Sequence, residues 1–241
     1  MEATKIEIPF GACPIIIESG KLAKQANGSI TITCGGTTVL VAACMSKKAR
    51  DDIDFFPLMV EYQEKTYAAG RIPGGFFKRE GRPTAKEILT ARVIDRPIRP
   101  LFPEGFYNDV VITSTVLSSD GENDPDILAM VGASAALHIS DIPFEGPIGG
   151  VRICRINGEF TLNPTYEKRE QADMELIVVG LKEGIVMIEG EGKEVPENTV
   201  VEALEFAHQH IVPIIDGQVE FAEQVGKQKA NVELFNPHPE L

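Results

Sequence analysis

The chain has 241 residues, of which 43% are hydrophobic and 24% charged, and its formal net charge at pH 7 is −13. No run approaches the roughly 20 apolar residues of a membrane span, and the first residues lack the basic start and apolar stretch of a signal peptide. This excludes membrane and secreted classes and predicts a compact, cytoplasmic protein without a membrane partner.

The first third of the chain is predicted to form short strands with tight turns. β-Branched residues dominate it, and residues 29–33 alternate between polar and apolar side chains. The predicted strands cover residues 5–10, 14–18, 29–33, 38–45 and 58–63. Residues 68–75 are rich in glycine and proline and are predicted to form a loop.

Helices and strands alternate in the rest of the chain. Thr84 and Glu87 form a predicted capping box, and the helix that they start is expected to end near Arg96, before Pro97. A second helix is predicted at 127–139, with small residues that favour close packing against a sheet, and a long amphipathic helix begins near Pro196. The remaining predicted strands cover residues 109–118, 149–156, 159–162, 174–179 and 184–188.

These elements predict an α/β (α+β) fold of mixed sheets packed against helices. We expect residues 1–226 to form one domain and residues 227–241 to begin a linker, because the chain becomes polar after Gly226. The chain is therefore expected to be a piece of a longer protein.

The cysteines and histidines do not show the spacing of a metal site. Four cysteines are scattered without a Cys-x-x-Cys pair, which predicts buried reduced thiols rather than a disulfide framework or a zinc site. His208 and His210 are two residues apart on a predicted helix and point to different faces. We therefore expect no metal bound through cysteine or histidine.

A basic segment interrupts this acidic chain. Between Lys65 and Arg99 lie nine basic and three acidic residues, a local net charge of +6 in a chain of net charge −13. A basic island of this kind can hold a polyanion locally while the rest of the surface repels it.

Within the basic segment, residues 76–83 combine aromatic and basic side chains. The candidate RNA-binding residues are Phe76, Phe77, Lys78, Arg79 and Arg82. Exposed rings can stack on bases while lysine and arginine hold phosphates. The alternative is that both rings belong to the core and the charges are simply solvated.

Three arginines follow on the predicted helix. Arg92, Arg96 and Arg99 share a helical face if the helix continues through Pro97, and they are candidates for facing phosphates. Ion pairs with neighbouring carboxylates are the alternative.

Neither a Walker nor a Rossmann glycine pattern is present. Asp173 and Glu175 are two apart on a predicted strand and are candidate Mg²⁺ ligands or an acid–base pair, with a solvated strand face as the alternative.

Residues 62–83, with the run Ala-Ala-Gly-Arg-Ile-Pro-Gly-Gly-Phe-Phe-Lys-Arg-Glu-Gly-Arg-Pro at 68–83, resemble the N-terminal half of the polynucleotide phosphorylase family. Residues 94–106, Ile-Asp-Arg-Pro-Ile-Arg-Pro-Leu-Phe-Pro-Glu-Gly-Phe, carry the same resemblance. It covers essentially the whole chain.

The resemblance implies an RNase PH-like domain, related to the ribosomal protein S5 domain 2-like fold. It also implies a ring-shaped homotrimer that threads single-stranded RNA and degrades it from the 3′ end with inorganic phosphate as co-substrate. Components of an RNA-degradation complex are further expected partners. In this picture Phe76, Phe77, Lys78 and Arg79 line the channel constriction.

The resemblance also implies that Mg²⁺ and phosphorolysis belong to a second core domain that this chain lacks. The turn at residues 123–126 contains two carboxylates, which we expect to repel phosphate, and Asp173 is at best a vestigial catalytic residue. We therefore expect no catalytic residue and no metal site here. Two alternatives stay open, an active Mg²⁺-dependent domain or a purely structural ring domain.

Overall fold

A six-stranded sheet is formed by the first half of the chain. The computed structural model describes residues 3–50 and 53–235. Every neighbouring pair in the sheet is antiparallel except β5 and β6, which are parallel, and the order is β1-β2-β3-β4-β6-β5. The strands are β1 (Thr4–Ile8), β2 (Ile15–Ser19), β3 (Gly28–Cys34), β4 (Thr37–Ala49), β5 (Leu58–Glu64) and β6 (Asn108–Ser118).

A second, four-stranded antiparallel sheet follows in the order β10-β9-β7-β8. Its strands are β7 (Gly149–Ile156), β8 (Glu159–Leu162), β9 (Met174–Leu181) and β10 (Gly184–Gly192). All predicted strands are present in the two sheets. The predicted ranges 149–156 and 159–162 match β7 and β8 at both ends, and the ends of the other strands differ by up to four residues.

The core lies between the sheets and is centred on one helix. The helices are α1 (Ala85–Ile98), α2 (Pro125–Ile139), α3 (Tyr166–Arg169) and α4 (Glu197–Val225). Helix α2 packs against β3 and β4 of the first sheet, β7 of the second sheet and α4. All of its residues except Asp126 and His138 are buried. The expected mixed α/β fold, with a small-residue helix close to the sheet, is confirmed.

Helix α1 corrects one sequence prediction. It does not end near Arg96 but continues through Pro97 to Ile98, and a 3-10 turn follows at Arg99–Leu101. A proline inside a helix removes one hydrogen bond. Because Pro97 and Ile98 are both buried, packing against the core outweighs that loss.

Two short elements lie where the sequence patterns predicted no regular structure. A 3-10 helix covers Thr66–Ala69 and so includes the start of the predicted loop, and α3 lies between β8 and β9. Both have only four residues, too few for a hydrophobic period to be visible.

The prediction of buried thiols is right for two of the four cysteines. Cys34 and Cys154 are buried, Cys13 is half-buried and Cys44 is exposed, and all four are free thiols. Cys44 follows the buried Ala43 on β4, and successive side chains of a strand point to opposite faces.

The segment after α4 lies against the rest of the protein. The backbone N–H of Lys227 donates to Ile139, that of Ala230 to Asp141, and that of Phe235 to Gly105. The proposed boundary at residue 226 stays a prediction. Among the described residues, no helix is long and apolar enough to cross a membrane.

Candidate functional site

The 76–83 loop projects from the surface. Phe76 is 93% exposed and Phe77 is 79% exposed. The two rings contact each other edge to face, with centroids 5.4 Å apart. Lys78, Arg79 and all other residues of the loop are exposed too. Both rings therefore lie outside the core, and the loop presents two aromatic faces beside two cations.

Two sets of hydrogen bonds anchor the C-terminal part of this loop. On one side the Glu80 carboxylate accepts hydrogen bonds from the backbone N–H and the hydroxyl of Thr66, at 2.8 and 2.9 Å. On the other side the capping box of α1 is formed: Thr84 Oγ1 accepts from the Glu87 N–H at 3.2 Å, and the Glu87 carboxylate accepts from the Thr84 N–H at 2.7 Å. These contacts hold Glu80 and Thr84, while the tip with Phe76 and Phe77 is not packed against the core.

Glu87 also ties the loop to the sheet. Its second carboxylate oxygen accepts from the backbone N–H of Glu64 in β5, at 2.8 Å. Partial burial raises the pKa of the Glu87 carboxyl, but the N–H donors of Thr84 and Glu64 outweigh it, so the pKa lies below its ordinary value. The carboxylate form that makes these contacts is therefore the stable one.

The three arginines of α1 have different environments. Arg96 forms an ion pair with Glu189 at 2.5 Å. Arg99 pairs with Asp95 and also donates to the carbonyl oxygens of Phe56 and Leu58. Arg92 is exposed and forms no ion pair with another described residue. Of the three, Arg92 is the one left available to a phosphate.

A partly buried ion-pair cluster lies at the N-terminus of α2, with Arg152 at its buried centre. It is built from Lys86, Asp124, Asp126, Arg152, Arg169 and Glu175. Arg152, only 4% exposed, is paired with all three carboxylates of the cluster. Arg169 lies 2.6 Å from Asp124 and 2.7 Å from Glu175. The cluster therefore neutralises most of its own charge.

Asp124 is the N-cap of α2, and Pro125 occupies the first helical position. Burial raises the pKa of the Asp124 carboxyl, but Lys86, Arg152 and Arg169 together outweigh burial and hold the pKa below its ordinary value. The carboxylates expected to repel phosphate are thus engaged by the protein's own cations, and those cations are correspondingly not free to bind an anion.

The two candidate metal ligands, Asp173 and Glu175, have different surroundings. Glu175 accepts hydrogen bonds from Arg152 and Arg169, and Asp173 lies 3.7 Å from Arg155. No group of three or more potential ligands among His, Cys, Asp and Glu is present in the described part of the chain. Two guanidinium groups already hold Glu175, so this carboxylate does not fit Mg²⁺, whereas the Asp173 carboxylate has, among the residues that the structure describes, only the 3.7 Å contact with Arg155.

Sequence patterns did not indicate the ion-pair roles of Arg152, Arg169 and Lys86. One signal was available, since Arg152 stands in the otherwise apolar run Gly-Gly-Val-Arg-Ile-Cys at 149–154. A charged side chain within a buried strand needs charged partners. Which carboxylates serve as partners depends on contacts over 23 to 28 residues of sequence, which periodicity does not reveal.

Family models identify the class of protein to which the chain belongs. Residues 13–143 match the 3′ exoribonuclease family, domain 1, and residues 146–210 match domain 2 of the same family. The chain therefore belongs to the 3′ exoribonuclease family.

The most similar curated relatives that were compared are all enzymes of one kind within this family. The polyribonucleotide nucleotidyltransferase of Sulfurihydrogenibium azorense is 59% identical over 234 residues, which are 97% of this chain and 33% of the relative. That of Aquifex aeolicus is 59% identical over 216 residues, 90% of this chain and 28% of the relative. The chain thus spans about a third of the length of these relatives. The expected resemblance to the polynucleotide phosphorylase family is confirmed.

The fold has a solved counterpart. A chain of the Archaeoglobus fulgidus exosome, in a structure with RNA bound to the active site, superposes with a TM-score of 0.65 at 19% identity. The match covers 90% of this chain and 89% of that one. At this identity the likeness speaks for the fold, and the RNase PH-like architecture is confirmed.

Proposed function

We propose that this chain is a core part of a phosphorolytic 3′-to-5′ exoribonuclease, a polyribonucleotide nucleotidyltransferase, and that its 76–83 loop guides single-stranded RNA. The observation that carries the proposal is the exposure of Phe76 and Phe77 beside Lys78 and Arg79. An exposed ring that stacks on a base contributes about 1–3 kcal/mol. Membership in the 3′ exoribonuclease family and relatives named polyribonucleotide nucleotidyltransferases support the reaction class.

In this proposal phosphorolysis takes place in a part of the parent protein outside this chain. There, inorganic phosphate attacks the 3′-terminal linkage of RNA and releases nucleoside diphosphates, with Mg²⁺ as the metal. The ion-pair cluster supports the placement of phosphorolysis outside this chain. Arg152 and Arg169 could otherwise hold phosphate, but they are paired with the carboxylates of Asp124, Asp126 and Glu175.

We further propose that three copies of the parent assemble into a ring. Three 76–83 loops then surround one channel, so that stacking and phosphate contacts act together on a single strand. Arg82 on the loop and Arg92 on α1 are both exposed and add two cations to those of Lys78 and Arg79. Contacts with RNA-degradation components and a cytoplasmic location belong to the same proposal.

The test uses the assembled full-length parent protein and fluorescent oligo(A). The variant Phe77→Ala/Arg79→Ala should lower the affinity for RNA by about 10- to 100-fold, the equivalent of one lost base stack and its phosphate contact. The matched control Phe55→Ala/Lys48→Ala removes an exposed ring and an exposed cation elsewhere and should leave the affinity unchanged. Equal affinity of all three proteins would refute the guiding role and favour a purely structural domain.

A second experiment addresses the active-domain alternative. The 241-residue chain is incubated with oligo(A), phosphate and Mg²⁺, and ADP release is measured. We expect none. Release that disappears in Asp173→Ala would show that this chain carries its own phosphorolytic site.

A further inference from the structure

Two cysteines distant in the sequence meet beside the first sheet. Cys13 lies between β1 and β2, and Cys34 is the last residue of β3. The Cys34 thiol donates to the carbonyl oxygen of Cys13 at 3.6 Å, and the backbone N–H of Gly35 donates to Cys13 Sγ at 3.0 Å. Each sulfur therefore lies against the backbone at the other cysteine.

The two thiols differ in exposure. Cys34 is 4% exposed, whereas Cys13 is half-buried. Both line a cavity of about 90 Å³, which also contacts Asn123 and Arg152. Such a volume holds several water-sized molecules. A small oxidant can therefore reach both sulfurs, while a large reagent is excluded from Cys34.

The surroundings assign a role to each sulfur. Cys13 is the more exposed of the two thiols, so an oxidant from solvent meets its sulfur first, and the hydrogen bond from the Gly35 N–H holds that sulfur in place. Burial raises the pKa of the Cys34 thiol to about 12, and the neighbouring Cys13 and Asp120 add to that shift. Cys34 therefore stays protonated and does not react first.

We propose that Cys13 and Cys34 form an oxidisable dithiol that hydroperoxides convert into an intramolecular disulfide. The Cys13 thiolate attacks one peroxide oxygen, the O–O bond breaks, and the departing hydroxide takes a proton to form water. The resulting Cys13 sulfenic acid is attacked by the Cys34 sulfur, and the S–O bond breaks. A second water leaves with the Cys34 proton. Both cysteines are oxidised by one electron each, and one hydrogen peroxide is reduced to two waters.

The disulfide between Cys13 and Cys34 would join two neighbouring loops that line this cavity. It would tie the connection between β1 and β2 to the β3–β4 turn, where the Gly36 N–H and the Thr37 hydroxyl donate to Asp120 at 2.9 Å each. It would also replace the contact of the Cys34 thiol with Asn123 Oδ1 at 3.7 Å. Because a disulfide restricts the unfolded chain, the oxidised form should melt at a temperature higher by roughly 5 °C or more.

The experiment treats the 241-residue chain with hydrogen peroxide under native conditions. Cys44→Ser is the background, because an exposed thiol such as Cys44 would be oxidised as well and would complicate the product. The mass should fall by two hydrogen atoms and return on reduction. Trypsin should release residues 6–21 joined to residues 25–47. In the Cys44→Ser background the second peptide contains Cys34 as its single cysteine, so the linkage is unambiguous.

The control is Cys13→Ala in the same background. Cys13 is the less buried of the pair, so this variant is expected to fold, and it should neither lose the two hydrogen atoms nor gain thermal stability on oxidation. Three results would overturn the proposal. These are the persistence of both thiols, conversion of Cys13 to sulfinic acid without a linked peptide, and the same mass loss in Cys13→Ala.

Discussion

Asp124 and Arg152 illustrate how single buried charges are stabilised in this protein. Arg152 interrupts an apolar strand and is 4% exposed, so its guanidinium requires carboxylate partners. It finds them in Asp124 and Asp126 at the start of α2 and in Glu175 on β9. Removing one partner leaves a buried charge unbalanced, which typically costs about 3–5 kcal/mol.

Replacement of Asp124 by asparagine should lower stability in a pH-dependent manner. The folded-state pKa of Asp124 lies below its unfolded value. Its contribution is therefore present above about pH 4 and is lost as the pH falls through the folded-state pKa. At pH 7 Asp124→Asn should reduce the free energy of unfolding by about 3 kcal/mol, and the difference from wild type should shrink below pH 4.

Urea denaturation at several pH values between 7 and 3 measures this difference. The control is Asp216→Asn, because Asp216 pairs with Lys182 on the surface and is 54% exposed in its side chain. That variant should differ from wild type by less than about 0.5 kcal/mol. A deficit of Asp124→Asn that is the same at pH 7 and pH 3 would contradict the argument.

Helix α2 shows how an element is positioned by the absence of a side chain. A Cβ on Gly132 would lie 2.8 Å from Val41 Cγ2, 3.1 Å from Ile32 Cγ2 and 3.2 Å from Ile30 Cδ1. All three partners belong to the first sheet and are buried. The glycine therefore permits the close approach of the helix that lets it fill the space between the two sheets.

Gly132→Ala sets two effects against each other. Alanine favours the helix over glycine by about 1 kcal/mol, whereas overpacking a rigid core costs about 1–3 kcal/mol. Because Val41 is fully buried and a β-branched side chain has few rotamers to change to, we expect net destabilisation of about 1–2 kcal/mol.

Thermal and urea unfolding measure this change. The control is Gly184→Ala. No atom lies within 4 Å of the position that a Cβ on Gly184 would take, and the φ of Gly184 is not positive. Stabilisation by Gly132→Ala would show that the sheet yields and that helix propensity dominates.

The charge distribution matters at the scale of the whole molecule. The net charge of −13 would oppose binding to a polyanion, yet the basic segment concentrates cations near one loop. In the structure, some of these cations form ion pairs with the protein's own carboxylates and others are exposed to solvent. Lys86, Arg96 and Arg99 form internal ion pairs, whereas Lys78, Arg79 and Arg82 stay exposed on the loop.

The salt dependence of RNA binding by the assembled parent should report this division. For single strands, each lost phosphate contact reduces the slope of log K against log salt concentration by about 0.7. Arg79→Ala should make the slope shallower by about that amount per contact, whereas Arg96→Ala, which removes an arginine paired with Glu189, should not. An equal change in both variants would mean that the internal ion pairs open on binding.

Local patterns in the sequence determined most of the elements. Alternation of side chains determined the strands, the Thr84–Glu87 pair determined the start of α1, and the run of small residues determined that α2 packs closely. The aromatic and basic composition of residues 76–83 was likewise visible without a structure. These features were predictable because each depends on neighbours within a few residues.

Only the tertiary structure decided which side chains are exposed and which meet. The sequence left Phe76 and Phe77 with two possible environments, and exposures of 93% and 79% decided between them. Helix α1 passes Pro97 because buried contacts outweigh a missing hydrogen bond. Arg152 meets Asp124, and Cys13 meets Cys34, because strands and loops far apart in the chain are brought together when the sheets pack around α2. Such contacts between distant residues depend on how the whole core packs, which no local sequence pattern encodes.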